Sequence, residues 1–178
     1  MKIFNRFHRV AKKLEKRYNN RETIVINDEY DTQDLLYGLI SVEFDSIQAE
    51  EYGPRFTGKR SRIDFFLKLE NIGIEVKKVR DKDHAKKLNE EIIIDKEYYS
   101  NNPNINQLYF FIYDPNSLLL IREDFLFKIL NNFFNFIIII NEIYFFIVFV
   151  NAMNAYLIFI HNCNKIIFRI WKKTLKGN

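Results

Sequence analysis

Residues 61 to 78 read SRIDFFLKLENIGIEVKK, and the alternation within them decides the fold. Ile63, Phe65, Leu67 and Leu69 alternate with Asp64, Phe66 and Lys68, and after Glu70-Asn71 a second run alternates Ile72, Ile74 and Val76 with Glu75 and Lys77. A period of two marks an extended strand with one face in the core. The two runs, 62 to 69 and 72 to 79, therefore predict a hairpin. Glu75 and Lys77 are two apart, so they project from one face while Val76 turns inward. If the turn is centred on Glu70-Asn71, paired residue numbers sum to 141, which sets Asp64 opposite Lys77 and one diagonal step from Glu75. A sum of 143 keeps the shared face but parts the carboxylates by roughly four strand residues, about 13 Å, too far for one metal.

Around the hairpin the order of elements is legible. Ile3, Phe4, Phe7, Val10, Ala11, Leu14 and Tyr18 recur every three or four residues, which predicts an amphipathic helix over 2 to 19. Its outer face is basic: eight Lys and Arg against Glu15 alone in the first 21 residues. Such a face is either solvated or a contact for phosphates. A short strand is expected at Thr23 to Ile26, then a second helix from an Asn27 or Asp28 cap to about Val42, with Leu35, Leu36, Leu39 and Ile40 as its buried stripe. Ser46 to Glu51 reads as a strand, followed by a turn at Gly53-Pro54 and a loop with three basic residues over 55 to 60. After the hairpin, Asp83 is expected to cap a third helix ending near Tyr99, and Leu108 to Tyr113 is a buried strand closed by Asp114-Pro115. There is no internal repeat and no glycine-rich phosphate loop.

Composition narrows the classes. At 178 residues and 21.6 kDa the chain has the length of one domain with a short appendage. Cys163 is the single cysteine, and His8, His84 and His161 lie far apart. A disulfide-stapled domain and a Cys/His zinc site are excluded. The formal charge of +4 is mild support for a polyanionic partner. No apolar core of a signal peptide occurs in the basic first 21 residues, so a cytoplasmic location is expected.

The chain changes character near residue 124. Ten of the 18 phenylalanines follow it, and between Lys128 and Lys165 the one charged residue is Glu142. The organisation expected is a domain over 1–124 and a Phe/Ile/Asn-rich tail over 125–178. The longest apolar run in the tail, Ile143 to Val150, is too short to span a bilayer cleanly as a helix. Three readings of the tail stay open: a frameshifted end, since AT-rich codons give this composition in any frame; an added packed or partner-binding element; and a membrane anchor.

Two carboxylates and an ammonium on one sheet face suit phosphodiester hydrolysis. Oxygen ligands select Mg²⁺ or Mn²⁺, the metal activates water, and a lysine neutralises charge on the attacked phosphate. Taken alone, charges alternate in this way on many exposed hairpins. The order of motifs is more specific: DEYDTQDLL at 28 to 36, SRIDFFLK at 61 to 68, IEVKK at 74 to 78, EEIIID at 90 to 95 and FIYDP at 111 to 115. Over roughly residues 5 to 120 the chain resembles the PD-(D/E)XK nuclease superfamily, and more closely its DpnII/MboI-type nuclease domain.

That resemblance implies an α/β, restriction-endonuclease-like core, α-β-β-β-α-β, with a mixed sheet flanked by helices, to which this chain adds an atypical hydrophobic tail. It assigns Asp64 and Glu75 to the metal and Lys77 to catalysis. A further acidic group from the helix near residue 30 would be Glu29, Asp31 or Asp34, with Asp34 preferred as the deepest in that helix. Lys59, Ser61 and Arg62 are candidates for contact with backbone phosphates. Glu91 stands where relatives often carry Gln. The function implied is a Mg²⁺-dependent, or Mn²⁺-dependent, DNA endonuclease with a role in prokaryotic defence. The partners expected are nucleic acid, duplex DNA foremost, and a second copy of the chain. Two alternatives are a catalytically idle nucleic-acid-binding module, whose basic helix does the binding, and an interaction protein tethered to a membrane through the tail.

Overall fold

A computed structural model describes residues 2–52, 62–99, 101–119, 136–140, 143–150, 155–162 and 165–172. Helix α1 (Lys2–Glu15) buries Phe4, Phe7 and Ala11. It ends earlier than its apolar spacing predicts. Asn19 and Asn20 take φ values of 59° and 48°, left-handed conformations that asparagine tolerates and a helix does not. A single tight turn, Tyr18–Asn20, follows instead. The strand expected at Thr23 to Ile26 does not form. The Thr23 hydroxyl donates to the Leu14 carbonyl at the end of α1, and Ile24 and Val25 face solvent with no ladder partner among the described residues.

Helix α2 (Glu29–Ile40) starts at a capping box: the Asp28 carboxylate accepts from Asp31 N–H at 3.0 Å, and Asp31 Oδ2 accepts from Asp28 N–H at 3.3 Å. Helix α3 (Lys82–Tyr99) is started by Asp81, whose Oδ1 accepts from the N–H groups of Asp83 and His84 at 2.9 and 2.8 Å. The cap lies two residues before the Asp83 expected, because Asp81 is the residue placed to reach the orphan donors of the first turn.

The strands β1 (Ile47–Tyr52), β2 (Arg62–Leu67), β3 (Ile72–Lys78), β4 (Gln107–Tyr113), β5 (Phe136–Ile140), β6 (Ile143–Val150), β7 (Ala155–Asn162) and β8 (Lys165–Lys172) form one sheet in sequence order. β1, β2 and β3 pair antiparallel, β3, β4 and β5 parallel, and β5 through β8 antiparallel. α3 makes the crossover that a parallel β3–β4 pair requires. The expected boundary at 124 lies outside the described residues. Beyond it, β5 joins the core with Ile137, Ile138 and Ile139 buried.

Alternation along the strands builds two cores. On one face Phe65, Leu67, Ile74, Val76, Phe111 and Tyr113 pack under α1 and α2. Phe4 stacks on Phe111 with ring centroids 5.4 Å apart, and Phe7 meets Phe111 and Tyr113 edge-on at 4.8 and 5.3 Å. Full burial of one such side chain contributes about 1.5 to 3 kcal/mol, so three residues of α1 suffice to seat it. On the other face Phe66, Leu108, Phe110, Ile112 and Ile138 pack against Ala85, Leu88 and Ile92 of α3. Among the described residues no helix is long and apolar enough to cross a membrane.

Candidate active site

The β2–β3 register differs from both sums that a turn near Glu70-Asn71 predicts. Phe65 pairs with Ile74, Phe66 with Gly73 and Leu67 with Ile72, a sum of 139. The connection is four residues, Lys68 to Asn71, with Asn71 at φ 55°, and its centre falls one residue before Glu70-Asn71. A sum smaller by two preserves the face of every side chain. Asp64 comes to the middle of β3 instead of opposite Lys77, at a break in the alternation: Ile63 packs with Phe66 on the α3 side, whereas Phe65 and Leu67 face α1 and α2. The backbone ladder stops at Phe65, and there Asp64 substitutes its carboxylate: Oδ2 accepts from Val76 N–H at 2.7 Å.

Glu75, 5 % exposed, is held from two sides. Lys77 Nζ donates to its Oε1 at 2.7 Å, and the Tyr99 hydroxyl donates to its Oε2 at 3.0 Å. Lys77 Nζ also lies 3.1 Å from Asp95 Oδ2. Asp95 and Tyr99 are one turn apart on α3, so a single helical stripe addresses both strand residues. Sequence reasoning gives neither a role in the site: Tyr99 reads as core and Asp95 as part of a motif match. Their spacing of four, over a strand carrying Glu-x-Lys, is the signal that could have found them.

The acidic group that the first turn of α2 delivers is Glu29. Its Oε2 faces Lys78 N–H at 3.4 Å, and its charge is felt at both Asp64 and Lys77. Asp31 is engaged in the capping box. Asp34 is not brought to Asp64 and Glu75; it lines a separate depression beside Leu35 and Gly38. Helix α2 points its N-terminus at the strand ends, so depth within the helix carries a side chain away from them. Arg62 lines a cavity of about 550 Å³ together with Glu29, Asp64, Lys77 and Lys78. Glu91 reaches the same cavity, with Oε2 3.7 Å from His84 Nε2. Lys59 and Ser61 lie outside the described residues.

The electrostatics follow from burial of like charges. Burial pushes the Asp64 carboxyl up to about 6, although the Val76 N–H and the Lys77 charge oppose it. Burial, then the neighbouring Asp64 charge, pushes Glu75 up to about 8 against the pull of Lys77. Asp95 is raised as well, by burial partly offset by Lys77. For Lys77 burial acts downward, but Glu75 and Asp95 outweigh it and raise its pKa. Lys77 is therefore a fixed cation near neutral pH.

Among the described residues no three carboxylate, imidazole or thiol groups converge to hold a metal. The pair of Asp64 and Glu75 nevertheless fits a hard divalent cation completed by water. Its donors are oxygens alone, each carboxylate has about four lone-pair sites, and their mutual repulsion is what a cation relieves.

The family model DpnII-MboI, described as REase_DpnII-MboI, matches residues 1–140. No curated protein and no solved structure matches the chain. A mixed sheet with helices on both faces is the restriction-endonuclease-like arrangement, and the family match extends through β5. The chain belongs to the DpnII-MboI restriction endonuclease family, within the restriction-endonuclease-like superfamily.

Proposed function

We propose that this chain is a metal-dependent nuclease of the PD-(D/E)XK type that hydrolyses phosphodiester bonds in DNA, with Asp64 and Glu75 as metal ligands and Lys77 as a catalytic residue. The observation that carries the reading is the Lys77 ammonium held between Glu75 and Asp95, in a cavity that Asp64 also lines.

Bound at that pair, Mg²⁺ or Mn²⁺ would supply Lewis acidity to the reaction. Asp64 and Glu75 would hold the cation beside the middle of β3, and Glu29 adds negative charge from the first turn of α2. Lys77 works as a charge stabiliser and not as a base, because its carboxylate neighbours hold the proton on Nζ. Its ammonium offers three donors; Glu75 and Asp95 take two, leaving one for a phosphate oxygen. In the hydrolysis the water oxygen bonds to phosphorus, the bond to the leaving oxygen breaks, the water gives up one proton and the leaving oxygen gains one.

The test is cleavage of duplex DNA in Mg²⁺ and in Mn²⁺ by the full chain and by Lys77→Ala. The expected result is metal-dependent cleavage that falls by about 10²-fold or more in the variant, while duplex binding persists. Binding by the full chain with no cleavage in either ion would favour the idle binding module. Recovery of the full chain in a carbonate-washed membrane pellet would favour the tethered protein.

A further inference from the structure

The structure points to a surface outside the catalytic cavity. Residues 1–21 carry eight Lys and Arg and one Asp or Glu, whereas the other 157 residues carry nineteen and twenty-two, a net of −3. All the net positive charge of the chain thus sits on α1 and the turn after it. We propose that the exposed basic residues of α1 and of the segment just after it grip the sugar-phosphate backbone of duplex DNA beside the cleaved strand. This extends the nuclease reading by naming how the substrate is held.

Placement supports it. Phe4 packs on Tyr109 and Phe111, and Phe7 on Phe111 and Tyr113, so α1 climbs β4 towards its C-terminal end. There Tyr113 pairs with Lys78, a wall of the cavity, one strand spacing of about 4.8 Å away. Lys12, Lys13, Lys16 and Arg17, all exposed, therefore emerge at the end of the sheet where α2 presents Glu29. The cavity holds its own carboxylates and would repel a polyanion without a compensating cationic surface close by. The Arg17 and Arg21 guanidiniums donate to the uncharged carbonyls of Glu22 and Tyr18, bonds that leave their charge unneutralised, whereas Lys12 shares its charge with Glu15 at 3.2 Å. A basic amphipathic helix also suits an anionic membrane surface, but such binding needs an apolar face to insert. Here Phe4, Phe7 and Ala11, at most 1 % exposed, spend that face on the core.

The experiment compares two full-length chains, both carrying Lys77→Ala to block cleavage, one of them also bearing Lys12→Gln, Lys13→Gln, Lys16→Gln and Arg17→Gln. Anisotropy of a labelled 24-base-pair duplex is titrated across KCl concentrations. Every phosphate that the protein ceases to neutralise removes about 0.9 from the slope of log K against log[KCl]. The expected change is a slope shallower by roughly 2 to 3.5, with at least about tenfold weaker binding at 100 mM KCl. A chain with Lys12→Arg, Lys13→Arg and Lys16→Arg should keep the parent slope, which separates charge from damage to the helix. An unchanged slope in the four-glutamine chain, no duplex binding by the parent, or charge-dependent binding to phosphatidylglycerol vesicles in place of DNA would each overturn the proposal. Cleavage by the chain with native Lys77 is read separately. Cleavage with an unchanged slope defeats this surface and spares the nuclease; a shallower slope without cleavage does the reverse.

Discussion

The two faces of β3 are built from neighbouring residues and serve opposite ends. Ile74 and Val76 are fully buried beneath α1 and α2, in a core of aliphatic and aromatic groups. Glu75 and Lys77, one residue further along in each case, face α3 and are tied to Asp95 and Tyr99. α3 suits both duties along its length. Its earlier turns bring Leu88 and Ile92 to the apolar part of the sheet, and its later turns bring a carboxylate and a phenol to the charged part. The contrast teaches that a strand with period two can separate what stabilises the fold from what does chemistry without separating them in sequence.

The largest effect should come from exchanging the roles of the faces. Glu75→Ala should lower metal-dependent cleavage by more than about 10²-fold, since losing even the hydrogen-bond partner of a metal ligand costs about 10- to 100-fold. Ile74→Ala, next to it in sequence, should cost about 2 to 5 kcal/mol in urea unfolding and leave the rate per folded molecule within about threefold. Equal catalytic losses at the two positions would break the comparison.

A smaller effect tests the helix that serves the charged face. Tyr99→Phe and Asp95→Asn should each reduce kcat by about tenfold with little change in KM, because they position Glu75 and Lys77 without touching substrate. A shift confined to KM would place them against the DNA instead.

The last effect is on stability and depends on pH. Asp64 and Glu75 have folded pKa values of about 6 and about 8, above their ordinary 3.8 and 4.5. Between those limits the folded chain holds protons that the unfolded chain has released, so without metal the stability falls as pH rises from about 4 to 8, by at most about 1.4 kcal/mol per pH unit for each group. Thermal melts in EDTA should show that decline. Mg²⁺ should flatten it, and Glu75→Gln should abolish its upper part.

Much of this is legible in the residues. The alternation at 62 to 79 shows the hairpin and the shared face of Glu75 and Lys77, because side-chain direction in a regular strand follows parity; it does not show the break at Asp64, across which Ile63 joins Phe66 on the α3 side. Register is not legible, since it turns on how the connection closes. Asn71 takes a left-handed conformation and makes a four-residue connection where a two-residue turn is the simpler reading. Depth within the helix favours Asp34 over Glu29, because the sequence does not reveal which end of α2 approaches the sheet. Asp95 and Tyr99 escape for a related reason: rotation of α3 about its axis is set by packing of Leu88 and Ile92 on β4, a tertiary fact.

The connection from Lys68 to Asn71 also sets a rule for how this chain tolerates change in length. One residue gained or lost there, with the strands kept paired, would turn Asp64 away from the Val76 N–H and dismantle the proposed metal pair while the hairpin survived. Two residues would restore its direction but slide it along the partner strand by a step of about 7 Å. Drift in this short loop is thus constrained by arithmetic rather than by side-chain identity, and natural length variation should accumulate elsewhere.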